Sequence, residues 1–173
     1  MAGVTLETTV AGSEAARRAF AQLARVVSNT TPIMAAIGTG LVENVHQRFE
    51  NEVDPDGQPW APLNPAYASI KRGPGILRES GMRGGLMGSI TRRASHDSVE
   101  IGTNKIYASV HQFGAVIRPV NAPKLRFMLS TGLASADEVE IPARPFLGFS
   151  REDQLTVLET LADALDRAVG LGR

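Results

Sequence analysis

Three histidines are the first residues to weigh for chemistry in this chain. His46 falls in a stretch of helical periodicity, His111 in a shorter one, and His96 in a turn. None has a second histidine at the spacing with which a zinc-protease helix presents two imidazoles on one face, so each reads as a structural histidine. "DPDG" (54–57) has the start of a calcium loop but not the later oxygen ligands or the bidentate glutamate, and reads as a turn. "GMRGGLMG" (81–88) is glycine-rich, yet no lysine followed by Ser or Thr closes it as a phosphate loop would require. The carboxylate pairs in "EDQ" (152–154) and "ADE" (136–138) look like a helix start and a loop tip. With no cysteine, thiolate catalysis, disulfides and cysteine metal sites are excluded. No acid, base and nucleophile assemble. The expectation is a non-enzyme, with no catalytic, cofactor-binding or metal residue assigned and no cofactor.

Charge is more informative. The chain balances 18 basic against 18 acidic side chains, but unevenly along its length. Residues 1–70 carry 4 basic and 7 acidic groups, residues 71–136 carry 10 and 3, and residues 137–173 carry 4 and 8. A middle of +7 is thus flanked by segments of −3 and −4. Lys71, Arg72, Arg78, Arg83, Arg92 and Arg93 cluster without the interleaved aromatics of a single-strand nucleic-acid platform. Two readings stay open: a solvated face, or a basic surface matched to an acidic one on another copy.

The elements that must position these groups follow from periodicity and punctuation. The 173 residues, 43% of them hydrophobic, suit one domain with a buried core, with residues 1–12 read as a disordered N-terminal arm. No apolar run approaches the roughly 18 residues of a membrane helix, and "MAGVTLETTV" lacks the basic-then-apolar order of a signal peptide. "SEAARRAFAQLARVVSN" predicts a helix capped at Ser13, with Ala16, Phe20, Leu23 and Val27 on one face. "TTPIMAAIGTGLVENVHQRFE" predicts a second, capped at Thr31 with Pro32 in its first turn and a stripe of Met34, Ile37, Leu41, Val45 and Phe49. The short join around Asn29 predicts an antiparallel pair, and Gly38 and Gly40 either weaken the second helix or permit a close crossing.

Beyond them, "PAYASIKR" predicts a short helix, and the glycine-laced "ILRESGMRGGLMGSI" a helical turn or two from Ser80. "SITRRAS" and "SVEIG" read as a hairpin around "HD". "IYASVHQFG" has Ile106, Val110 and Phe113 on one side, with Tyr107, Val110 and Phe113 expected under the sheet and Gly114 as a stop. "AVIRPV", "KLRFML" and "VEIPA" are strand candidates, the last two joined by the polar tip "STGLASADE". "SREDQLTVLETLADALDRAVG" is the clearest helix, capped by Ser150, ended by Gly170, with Leu155, Leu158, Leu161, Leu165 and Val169 as its expected buried stripe. The expected fold class is α+β: an antiparallel sheet of about four strands packed against two N-terminal helices and a C-terminal helix, with a long exposed hairpin.

Four segments in order carry a resemblance. "RFENEVDPDGQPWAPLN", "ILRESGMRGGLMGSI", "VEIGTNKIYASVHQFG" and "IPARPFLGFSREDQ" together resemble the phage virion morphogenesis family, tail completion proteins of Mu-like and related tailed phages, over roughly residues 40–170. The resemblance implies a structural virion protein without catalysis. It would act late in tail assembly, in the host cytoplasm, at the head-proximal end of the tail. It would form a ring, six copies by the symmetry of the tail. Implied partners are the chain itself, the tail tube or tail terminator protein, the head connector and neck proteins, and phage DNA passing through the lumen without sequence-specific binding; no membrane is involved. The alternative is a tail-associated DNA-binding accessory factor or enzyme.

In that setting Trp60, Arg92, Arg93, Arg126, Leu133, Arg144 and Phe146 are the interface candidates. Trp60 sits among prolines that leave its loop little entropy to lose, and either pins the loop to its own domain, the favoured reading, or fills a neighbour's pocket. Pro142 and Pro145 hold Arg144 and Phe146 extended before the last helix, where Arg144 calls for a carboxylate within or between subunits.

Overall fold

The computed structural model describes residues 13–79 and 84–169. The expected N-terminal arm, the helical turn at Ser80, Arg83 and the stop at Gly170 lie outside these residues.

Helix α2 (Thr31–Asn51) is the spine of the molecule. Ile37, Leu41, Val45 and Phe49 are buried, as their spacing predicts. The cap position is Thr30, one residue before the expected Thr31, and its hydroxyl donates to the His96 carbonyl and accepts from no helix N–H. The helix ends where Glu52 turns left-handed, with φ 57°.

Two elements cross α2 where it lacks side chains. The hairpin of β1 (Thr91–Ala94) and β2 (Val99–Gly102) pairs from Thr91↔Gly102 to Ala94↔Val99, as expected around "HD". A Cβ on Gly38 would come within 2.6 Å of Val99 Cγ2 and 2.8 Å of Arg92 Cδ. Helix α5 (Arg151–Val169) lies along α2, and a Cβ on Gly40 would collide with Thr156 Cγ2. Both glycines are therefore approach points, and the helix-propensity cost of about 1 kcal/mol each accompanies tighter packing. Helix α1 (Ser13–Ser28) packs chiefly against α5, so the expected α1–α2 antiparallel pair is not the arrangement formed.

The core gathers Val45, Phe49, Trp60, Ile76, Leu86, Met87, Ile90, Ala108 and Phe146. The Phe49 ring meets Trp60 edge-on at 5.4 Å and Phe146 tilted at 5.2 Å. Trp60 thus brings a loop into the core: its backbone N–H donates to Glu52 O at 2.8 Å and its indole N–H to Pro145 O at 2.8 Å. The preceding turn is closed by Asp54, whose Oδ1 accepts the N–H groups of Asp56 and Gln58.

The α+β class stands, but among the described residues the strands form three two-stranded antiparallel ribbons instead of one sheet. β3 (Ala115–Ile117) pairs with β6 (Val139–Ile141), and between them β4 (Leu125–Leu129) pairs with β5 (Gly132–Ala136). These two ribbons make one long arm, interrupted where Pro119 and Pro123 withhold N–H donors. The register corrects the expected hairpin. "KLRFML" pairs with "GLASA", not "VEIPA", and the tip is the turn Ser130–Thr131; residues expected as a polar tip are strand β5.

Two short helices also differ from expectation. α3 covers only Pro65–Ala68, with Asn64 Oδ1 accepting from Ala66 N. In α4 (Ala108–Phe113) the buried residue is Ala108 and Val110 is half-buried, while Ile106 and Phe113 point outward and Tyr107 is 42% exposed, so most of the expected face is not packed under a sheet. Gly114 does stop it, at φ 74°, where a Cβ would stand 3.0 Å from Ile141 O and from Ala143 N.

Candidate assembly surface

The surface of α5 is set by a buried polar knot at its start. Ser150 N–H donates to Asp153 Oδ2 at 2.8 Å, and Asp153 N–H to Ser150 Oγ at 3.2 Å, a capping box closed by aspartate. Arg48, from the buried face of α2, forms an ion pair with Asp153 and donates to Ser150 Oγ at 3.0 Å, Phe146 O at 3.3 Å and Gly148 O at 3.2 Å. Asn44 donates to Asp153 Oδ1 at 2.9 Å and Thr156 Oγ1 at 3.0 Å. Arg48, Ser150 and Asp153 are all buried.

This knot fixes the rotation of α5 about its axis. Asp153, Thr156, Val157, Thr160, Ala164, Ala168 and Val169 are the buried or half-buried positions. Four of the five residues of the expected buried stripe face outward instead: Leu155, Leu158, Leu161 and Leu165 are exposed, Leu158 at 63%, while Val169 is half-buried. Small side chains let α2 approach closely, and a charged anchor outranks four leucines in choosing the inward face. Beside the leucines, Glu152, Glu159, Asp163 and Asp166 recur at helical spacing as an exposed acidic stripe. On α1, Phe20 (72% exposed) and Val27 are also outward, against the expected apolar face.

The arm offers a second apolar face, with one cation at its edge. Strand alternation puts Arg126, Met128, Leu133 and Ser135 on its outer face, with Met128 directly opposite Leu133. Met128 is 60% and Leu133 68% exposed. The inner residues Leu125, Phe127, Leu129, Ala134 and Ala136 are half-buried. The tip is held to its own subunit by Ser130 N–H to Ala66 O at 3.0 Å.

Under the arm lies a cleft of about 730 Å³, lined by Tyr67, Lys71, Glu79, Tyr107, His111, Phe127 and Arg144 among others. Tyr67 donates to Glu79 at 2.5 Å, and burial together with that carboxylate pushes its phenol up to about 12. Burial lowers the pKa of His111, and the Arg144 guanidinium lowers it further. Burial also lowers that of Arg144. His111 Nδ1 is buried and has no hydrogen-bond partner among the described residues. Both shifts favour the uncharged form, of the Tyr67 phenol and of the His111 imidazole. Among the described residues no group of three or more His, Asp or Glu could hold a metal ion.

The sequence-based candidates divide by burial. Trp60 and Phe146 are buried in their own chain, the reading favoured for Trp60. Arg144 also turns inward, but no carboxylate meets it among the described residues: Nε donates to Ala61 O at 2.7 Å and Nη2 to Pro62 O at 3.0 Å. Within the chain, backbone carbonyls of the proline-rich loop stand in place of the expected intrasubunit carboxylate. Arg92 lays its stem over Gly38, and Arg93, Arg126 and Leu133 are exposed. His46 is half-buried and donates from Nε2 to Met87 O at 3.1 Å, while His96 is exposed in its turn. Sequence reasoning missed Arg48 and Asp153. The available signals were an arginine on the apolar stripe of α2 and an aspartate three residues after the capping serine.

The chain is similar in sequence to two phage or prophage proteins. A "Mu-like prophage FluMu G protein 2" from Haemophilus influenzae is 28% identical over 159 residues, covering 91% of this chain and 94% of that protein. A "Putative capsid assembly protein G" from Escherichia phage Mu is 25% identical over 146 residues, covering 83% of this chain and 84% of its own length. No solved structure matches with significance. The model of the phage virion morphogenesis family matches residues 12–166, nearly the whole length, and the chain belongs to that family.

Proposed function

We propose that this chain is a structural, non-catalytic subunit of the tailed-phage virion. It forms a ring, most simply of six copies, at the head-proximal end of the tail and makes the tail competent to join the head. The observation that carries the reading is the outer face of α5. Exposed leucines lie beside an acidic stripe, and the outer face of the arm sets Met128 and Leu133 beside a single cation, Arg126. A subunit with two unlike surfaces of this sort forms head-to-tail contacts, which close into a ring when the rotation allows. Two-stranded ribbons also leave unpaired strand edges that assembly would cover.

Its partners in this reading are further copies, the tail tube or tail terminator protein, and the head connector and neck proteins. DNA passes through the lumen without sequence-specific contact, and the arginines serve protein contacts, because many phosphate contacts would hold DNA back at ejection. The chain would work in the host cytoplasm during assembly and remain in the virion.

The name of the phage Mu relative, "Putative capsid assembly protein G", favours a second reading in which the chain acts on the head. Inactivating the gene separates the two. Filled heads and full-length tails that fail to join support the tail reading. Defective or absent heads with normal tails support the head reading. A reconstruction of the virion then counts the copies, and copies off the tail axis would refute the ring.

A further inference from the structure

We propose that the outer face of the arm in one copy docks on the leucine face of α5 in the next copy, with Arg126 set against the acidic stripe. The inference rests on the ring reading and names its contact. Each face is apolar at its centre and charged at one edge: Met128 and Leu133 beside Arg126 on the arm, Leu158 and Leu165 beside the acids on α5. The signs are opposite, and among the described residues Arg126, Glu159, Asp163 and Asp166 form no salt bridge.

The dimensions also agree. A five-residue ribbon spans roughly 17 Å, and the helix from Leu155 to Leu165 spans roughly 15 Å. The arm is already held by its own subunit through its half-buried inner face and the Ser130–Ala66 hydrogen bond, so docking orders little new chain. The two faces belong to different elements, so the contact is heterologous. A symmetric arm-to-arm pairing would set Arg126 near its own copy instead of near carboxylates.

The chain has no cysteine, so introduced cysteines report cleanly. Phage carrying Leu133→Cys together with Leu158→Cys, oxidised as assembled particles, should give a ladder of covalent multimers on a non-reducing gel. Leu133→Cys alone should give none. Because both sites are exposed, folding should be untouched, which thermal melting of the purified variant checks. Independently, Arg126→Glu should lower the yield of infectious particles by about tenfold or more, the scale of one lost charge contact. Asp163→Lys with Asp166→Lys in the same chain should restore it.

Multicopy rings without a ladder, or charge reversal that is harmless or never restored, would overturn the docking while leaving the ring intact. Dimers from Leu133→Cys alone would replace it with arm-to-arm pairing. A single copy per virion would overturn both the docking and the ring.

Discussion

Asp153→Ala tests the anchor of α5. The substitution leaves the Arg48 guanidinium buried without its carboxylate, strips Ser150 N–H of its acceptor and removes one partner of Asn44. Breaking a buried ion pair from one side costs about 3–5 kcal/mol, and losing the cap adds about 1 kcal/mol. The expected loss is thus about 4–6 kcal/mol, against a total stability on the order of 5–15 kcal/mol for a domain. At about 2–4 °C per kcal/mol for this size, the melting temperature falls by roughly 10–20 °C. Arg48→Met should also destabilise, by about 3–5 kcal/mol. The double variant removes both charges and leaves mainly the orphaned Ser150 N–H, which costs about 1–3 kcal/mol. It should therefore be at least about 2 kcal/mol more stable than the sum of the single losses implies. Urea unfolding read by the one tryptophan, Trp60, measures all four proteins, since that ring packs on Phe49 in the same core. A loss below about 1 kcal/mol for Asp153→Ala, or strict additivity in the double variant, would refute the argument and mean that water reaches the knot.

Three further outcomes follow from the same geometry. Trp60→Ala should cost about 3–5 kcal/mol in chemical unfolding, and Trp60 in the wild-type chain should emit at the blue-shifted wavelength of a buried indole; emission typical of hydrated indole would contradict the packing. Gly40→Ala should destabilise by about 1–3 kcal/mol despite better helix propensity, because the new methyl meets Thr156 Cγ2. In a Thr156→Ser background, which keeps the hydroxyl that Asn44 uses, the same change should become neutral or favourable by up to about 1 kcal/mol. Two groups should give pH-dependent stability of opposite sign. The folded-state pKa of His111 is lowered, so the unfolded chain binds more protons and stability falls as pH drops below about 6.5. The folded-state pKa of Tyr67 is raised to about 12, so stability is lost as pH rises above about 10 towards that value. Unfolding curves across pH should lose the acid slope in His111→Phe and the alkaline slope in Tyr67→Phe; slopes that survive would assign the titrations elsewhere.

Local rules were sufficient where a residue's role depends on its neighbours in sequence. The α2 stripe, the hairpin around His96–Asp97, the Asp54 turn, the Gly114 stop and the Ser150 cap all follow from spacing and backbone chemistry. The burial of Trp60 also followed, because a large apolar ring in a stiff loop is costly to hydrate. The resemblance carried by four ordered segments indicated the family. Periodicity could not decide which side of α5 turns inward. It shows that leucines share a face, not what that face meets. Only the tertiary structure brings Arg48 to Asp153 and Gly40 to Thr156, and these contacts rotate the leucines outward. The strand pairing likewise depended on partners distant in sequence. "KLRFML" is equally apolar opposite "VEIPA" or "GLASA", and the tight turn at Ser130–Thr131 selects the nearer segment. The candidate assembly surface was therefore hidden in the sequence for a physical reason: an apolar stripe looks the same whether its partner is the chain's own core or another subunit.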